Sequence, residues 1–435
     1  MRTPMELIRT EDKTSFDRFA ENQVATHYSK LSFWGEFEAR HYDGMEFWRF
    51  ETGDETVATA ILLKKLTLFG TTWYIPNGPS LDYFDEQTLK QVLTRIKSEA
   101  IRSHILYVRI DNNIPRRPHD QKGEVTEGFN HEFITERFEA VGFNHTGYRY
   151  GYSGYLFSRF TYVLDLTPDF NALVEQVAPN VRNSYRKNLR RGVEVRDGNR
   201  DELRYLVEYG QELADKLEFK AKPLRFFQDL FDLAGEHAVY RVASADLHLA
   251  LETINTEREA LLDSIRKVEG NPKKAGFIKE VQRQIEDLNH EETDITRLIQ
   301  TQGPTIILGS ALYLLAGNRS YNVYTYTNKD FPSFHATISL HMESIKELKN
   351  RGIRYYDFVG VSGSLDPHDK YYGLYDFKSR FGGEFMEHLG EFYFKPRPKL
   401  AHIQQRLHFY QRTLQRRSYA AFLHLKAKFQ TNQRG

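Results

Sequence analysis

Short apolar-rich runs recur early in the chain, at Glu46–Phe50, Val57–Leu63, Trp73–Pro76 and Ile105–Ile110, and each has a length that predicts a strand. Between them, the spacing of Leu89, Val92, Leu93 and Ile96 predicts a helix over Glu86–Ser103. A second helix is expected over Phe133–Val141, with Gly142-Phe143 leading into another strand. Strands that alternate with helices point to a mixed α/β unit.

The same mixture resumes after Tyr150. Strands are expected at Tyr162–Leu166, Val193–Val195 and Ala238–Ser244, and helices over Phe170–Arg191, Asp201–Leu217 and Leu224–Gly235. Farther on, Thr305–Leu315 and Ser320–Thr327 read as an antiparallel pair. A helix over Phe334–Arg351 follows, stopped by Gly352, and then a strand at Tyr355–Val359. The chain thus divides into a first α/β unit, residues 1–148, and a second of the same kind, residues 149–245 and 304–394, with no literal repeat.

Residues 246–303 interrupt the second unit with a different period. Ile254, Leu261 and Val268 stand seven apart, with Leu251 and Ile265 on the same stripe. Beyond Gly270-Asn271-Pro272, Val281, Leu288 and Ile295 repeat the spacing, flanked by Ile278, Ile285 and Ile299. Charged residues fill most other positions. This pattern predicts an antiparallel coiled-coil hairpin.

The tail, residues 395–435, is basic and aromatic. Lys395, Arg397, Lys399, Arg406, Arg412, Arg416, Arg417, Lys426 and Lys428 are interspersed with Phe409, Tyr410, Tyr419, Phe422, Leu423 and Leu425. It reads either as a helix packed on the first unit with a solvated basic face, or as a contact for anionic lipid headgroups.

Composition narrows the chemistry. Hydrophobic residues make up 40% of the chain and aromatic residues 14%, enough apolar surface for the two domains that 435 residues suggest. The 60 Lys and Arg balance 59 Asp and Glu, so polyanion contacts must come from local patches. One such patch, Arg182, Arg186, Lys187, Arg190 and Arg191, lies along a single expected helix and suits either phosphate or solvent. The absence of cysteine excludes disulfides, thiolate zinc sites and a thiol nucleophile, and suits a reducing compartment. Met1–Asp12 carries Arg2, Glu6, Arg9, Glu11 and Asp12, unlike a signal peptide. No run reaches the roughly 18 apolar residues of a membrane span. The expectation is a cytoplasmic protein, in contact with the inner membrane face at most peripherally. His335 and His341, six apart, fit no metal-ligating pair, and neither metal nor cofactor is expected.

Four segments together resemble the FemABX family of peptidyltransferases that build peptidoglycan bridges. They are Tyr74–Tyr83 with its Asn-Gly-Pro turn, Leu106–Asp111, the block Asp357–Gly363 followed by Tyr375–Gly383, and the coiled-coil insertion of the FemA-like branch. The resemblance runs from about residue 15 to 400, in order and spacing. Asn112 departs from it, standing where proline is common. The resemblance implies two GNAT-like acyltransferase domains in tandem and an aminoacyl-tRNA donor. It implies an acceptor that is lipid II or a nucleotide-linked muramyl peptide, with related family members as further partners. It also gives the arm two readings, rigid structure or tRNA contact.

A tRNA ester carries its own driving force, and no GxxxxGK[ST] phosphate loop is present. The acceptor amine, mostly protonated at about pH 7, must lose a proton to attack. Asp111, at the end of an apolar strand, is the candidate to orient or deprotonate it; its other reading is a cap on the next turn. The resemblance puts Lys378 at the acyl-transfer centre, where a cation would hold the oxyanion, against its other reading as a surface lysine. It also puts phosphate contacts on Arg40 and Lys222, and substrate contacts on Phe377, Tyr74 and Asn77. Acyl-CoA transfer and a non-catalytic coiled-coil interaction protein are the alternatives.

Overall fold

The computed structural model describes residues 5–120, 122–151, 157–216, 220–411 and 414. These form the expected mixed α/β architecture, built on one 13-stranded sheet. Five strands of the first half lie side by side in the order Met5–Arg9, Gly44–Thr52, Glu55–Thr67, Gly70–Ile75 and Val108–Pro115. Six of the second half follow as Phe160–Asp165, Tyr355–Val361, Arg319–Thr327, Thr305–Ala316, Ala238–Asp246 and Val193–Asp197. Between the two groups runs Glu384–Phe394, which also pairs with the short strand Asn144–His145.

That joining strand decides where the two halves meet. Its first residues, Glu384–Glu387, pair with Phe160–Val163. Its later ones, from His388, pair with Val108–Pro115. Buried charges pin the crossing point. Glu387 receives Arg159 from the second half and Arg116 from the first, the latter at 2.8 Å. Glu387 and Arg159 are both buried, and breaking a buried ion pair is ordinarily strongly destabilising.

Local chemistry explains the helices. Asp85 caps Glu86–Arg102 by accepting from the amides of Gln87 and Thr88, and Leu89, Val92, Leu93 and Ile96 bury the inner face as their spacing requires. Gly142, at φ 101°, ends Glu132–Val141 in the left-handed conformation. The single helix expected over Phe170–Arg191 is instead two, Phe170–Gln176 and Pro179–Arg190. Pro179 sits at the start of the second and holds Ala178 extended, at ψ 144°, which breaks the run. Each of its five basic residues has a carboxylate partner, although Arg186, Lys187 and Arg190 stay about half exposed. Arg182 and Arg186 bind Glu175, Arg190 binds Glu257, and Lys187 and Arg191 bind Glu291.

Glu257 and Glu291 belong to the insertion, an antiparallel pair of helices, Leu247–Arg266 and Ala275–Gln302. Ile254 and Ile295 at its base are buried in the second-half core, and Arg258 crosses to Asn289 and Glu292. Val281, nearer the tip, is buried as well, and the flanking Ile278, Ile285 and Ile299 are half-buried. The tail forms a helix over 398–411 with Ala401 and Gln404 buried; Arg412 and the basic residues after it lie outside the described residues.

Separate apolar cores fill the two halves, and a third joins them. In the joining core, Tyr28, Leu31, Phe33 and Phe37 from the N-terminal segment pack with Phe227, Leu230 and Tyr321.

Candidate active site

A cavity of about 480 Å³ opens where the halves meet, with His27, Asp111, Asn112, Arg319, Asp357 and His388 among the residues lining it. The strand Val108–Pro115 brings Asp111 to it from the first half. Strand alternation puts Arg109 and Asp111 on one face, and Tyr74 reaches them from the neighbouring parallel strand. The Tyr74 hydroxyl donates to Asp111 Oδ2, and Arg109 Nε lies 3.5 Å from Oδ1. Arg109 also pairs with Glu391, which faces Asp111 across the joining strand. Burial raises the Asp111 pKa, while Arg109 and the Tyr74 hydroxyl pull against it. The carboxylate is not a turn cap: it is 3% exposed and held by side chains.

Asn77 shapes the wall beside it. In the left-handed conformation at φ 52°, it begins the Asn77-Gly78 turn. Its amide donates to Ser29 Oγ at 2.8 Å and meets His27 Nδ1 at 3.2 Å, which ties the turn to the N-terminal segment. Gly78, at φ 75°, passes so close to Tyr83 and the Asp111 carbonyl that a side chain would collide. Burial depresses His27, and pushes His388 down to about 4, so both rings are neutral at pH 7. In the same wall the Asn112 side-chain amide nitrogen and Thr26 Oγ1 are buried with no hydrogen-bond partner among the described residues.

Lys378 comes from the second half, on the helix Tyr372–Ser379, and it is not a surface lysine. At 7% exposure it donates to the carbonyls of Val359 at 3.2 Å and Gly360 at 2.8 Å, both in the cavity wall. Burial lowers its pKa to about 7, with Asp357 opposing. An ammonium has three N–H groups, and these carbonyls take two. Phe377 turns the other way, its ring 5.3 Å from Phe381 and 5.8 Å from His341. It packs on the second-half core and does not line the cavity.

Arg40 and Lys222 stand apart from the cavity wall but close to each other. Arg40 lies 4.7 Å from the Phe37 ring and Lys222 4.5 Å from the Phe226 ring, and those rings are 5.0 Å apart. Both cations act on the half-buried Glu38, and Arg40 is paired with Asp229. The structure thus gathers Tyr74, Asn77 and Asp111 in one place, sets Lys378 behind the opposite wall, and makes a separate basic pair of Arg40 and Lys222. Sequence reasoning missed Asp357 and Arg319; Asp357 opens the block that carried the resemblance, yet nothing in that block marked it as a cavity residue.

Comparison with known proteins decides the family. The chain matches the FemAB family over residues 12–408. It belongs to that family. Lipid II:glycine glycyltransferase of Staphylococcus epidermidis is 25% identical over 82% of this chain and 85% of its own. Aminoacyltransferase FemA of the same species is 22% identical over 87% of this chain and 93% of its own. The crystal structure of FemX superposes with a TM-score of 0.74 at 22% identity, covering 90% of this chain and 97% of FemX. That likeness shows the fold, and bears out the expected α/β class. This FemAB member is an enzyme of the transferase class.

Proposed function

We propose that this FemAB enzyme transfers an aminoacyl group from aminoacyl-tRNA to the stem-peptide amine, or a growing branch, of a peptidoglycan precursor. Lipid II is the acceptor we favour over a nucleotide-linked muramyl peptide, because two relatives of matching length are named for aminoacyl transfer and one of them for lipid II.

The observation that carries this reading is the cavity itself. Asp111 from the first half and Asp357 from the second line a space, together with Asp82 and Glu391, whose wall holds amide and hydroxyl groups without a hydrogen-bond partner among the described residues. Buried polar groups ordinarily find partners, so such a wall suits a ligand rich in amides, as a stem peptide is. Asp111 orients the acceptor amine. Lys378 keeps its third N–H for the oxyanion that forms on the ester carbonyl. Arg40 and Lys222 hold the precursor's phosphates, Arg40 exchanging Asp229 for them.

No described helix is long and apolar enough to cross a membrane. The helix over 398–411 leaves Leu400, Ile403 and Leu407 exposed on one side, with Lys399 and Arg406 beside them. We assign the peripheral contact with the inner leaflet to this helix, next to a lipid-linked acceptor. The test is to incubate the protein with total charged tRNA and lipid II and weigh the product. A gain of one aminoacyl residue supports the proposal, and unchanged lipid II overturns it.

A further inference from the structure

The strand Tyr355–Val361 does not run straight past the cavity. Its register against Phe160–Asp165 slips between Asp357 and Gly360, and Val359 in the slip has φ 53°. A β-branched residue in the left-handed region is strained, so its surroundings must hold it there. Two side chains do so. Asp357 Oδ1 accepts the Val359 N–H at 2.7 Å, while Lys378 takes the carbonyls of Val359 and Gly360. Asp357 and Lys378 therefore grip one bulge of the cavity wall from either side.

The rest of the Asp357 environment differs from that of Asp111. Asp357 is 5% exposed and lines the cavity. Among the described residues no cation lies within ion-pair distance of it. Arg319, from the adjacent strand, and Lys378, from its helix, face it from farther off, and the hydroxyls of Tyr28 and Tyr321 are the other titratable groups that feel it. Asp111, by contrast, has one oxygen on Tyr74 and the other beside Arg109.

We propose, resting on the aminoacyl-transfer reading above, that Asp357 is the proton carrier of that reaction. The neutral acceptor amine attacks the ester carbonyl and a C–N bond forms. The nitrogen passes one proton to the Asp357 carboxylate. The ester C–O bond breaks, and Asp357 returns the same proton to the leaving ribose oxygen. The carboxylate is regenerated and no co-reactant is consumed. Asp111 keeps its part in orienting the amine. Burial lifts Asp357 to about 6, against the Val359 N–H, Arg319 and Lys378. A group that must both take and give a proton near neutrality needs a pKa in that region.

The test is the pH dependence of turnover from about pH 5 to 8 with aminoacyl-tRNA and lipid II, for wild type, Asp357→Asn, Asp357→Glu and Asp111→Asn, with folding checked by circular dichroism. Asparagine keeps an oxygen for the Val359 N–H, so the bulge stays held. Wild type should lose turnover as pH falls through about 6. Asp357→Asn should lose roughly 100-fold or more in kcat, with the acceptor KM little changed and the acid limb gone. Asp357→Glu should restore part of kcat together with an acid limb; should the asparagine variant not fold, the glutamate variant decides by whether its limb has moved. A folded Asp357→Asn with wild-type turnover, or with the wild-type acid limb, overturns the proposal while leaving aminoacyl transfer intact. An inactive wild type overturns the functional reading itself, and the role of Asp357 with it.

Discussion

Tyr74 and Asp111 meet across neighbouring strands, the phenol donating to a carboxylate that is 3% exposed. The hydroxyl is therefore the first partner to remove. Tyr74→Phe should destabilise the protein by about 1–3 kcal/mol, the usual cost of leaving a buried acceptor unsatisfied. In an Asp111→Ala background, which removes the acceptor, the same change should cost less, since the two residues share one bond. Chemical denaturation of the four proteins in that cycle gives the coupling; strict additivity would contradict the bond.

Lys378→Ala should lower kcat by roughly 100-fold, the size expected for one oxyanion donor, with little change in the acceptor KM. Lys378→Arg should rescue only in part, because a planar guanidinium cannot reach both carbonyls and the oxyanion as an ammonium does. Steady-state kinetics on folded variants checks both. The same lysine sets an alkaline limb. Its pKa is lowered to about 7, so the ammonium is present below that value and lost as pH rises through it. Turnover should fall over that window, and the fall should move to higher pH in Lys378→Arg.

Arg40→Ala and Lys222→Ala should each raise the acceptor KM several-fold and leave kcat nearly unchanged, if they hold phosphate rather than the reacting carbonyl. Asp229→Asn should do the reverse and lower KM, because Asp229 now pairs with Arg40. Titrations at two salt concentrations should show the difference shrinking as salt rises.

The helical insertion can be shortened from its tip but not from its base. Replacing residues 262–287 with a short flexible linker should leave cooperative unfolding intact. Removing 250–300 takes away buried Ile254 and Ile295 and the partner of Arg191, so it should lower the melting temperature markedly. Equal melting temperatures for the two deletions would show that the base contributes nothing to the core.

Much of the framework was legible because its signals are local. Leu89, Val92, Leu93 and Ile96 marked a helix, and the strand expected at Tyr355–Val359 runs over Tyr355–Val361, while the one expected at Ile105–Ile110 lies farther along, over Val108–Pro115. Pro179 was as plain a signal as any and should have split the helix before it. The joining strand was not legible. Glu387 and Glu391 look like solvated residues in sequence, and are buried only because Arg116 lies 271 residues away, Arg159 lies 228 and Arg109 lies 282. The site divides the same way. Asp111 was visible as the carboxylate after an apolar run, although it stands inside Val108–Pro115 and not at a strand end, whereas Asp357 gained its place from a register slip at Val359, and no sequence rule places valine at positive φ. The charge cluster Arg182–Arg191 read as open to phosphate or to solvent because two of its carboxylate partners, Glu257 and Glu291, sit in an insertion read as a separate arm.

The proposed chemistry of this enzyme turns on its donor being an aminoacyl ester of tRNA. The most direct measurement supplies the purified protein and lipid II with radiolabelled aminoacyl-tRNA or with acyl-CoA, each before and after ribonuclease treatment, and follows label into lipid II. Label should pass from aminoacyl-tRNA, prior ribonuclease should abolish the transfer, and coenzyme A should have no effect. Robust transfer from acyl-CoA in the absence of RNA would contradict a tRNA donor.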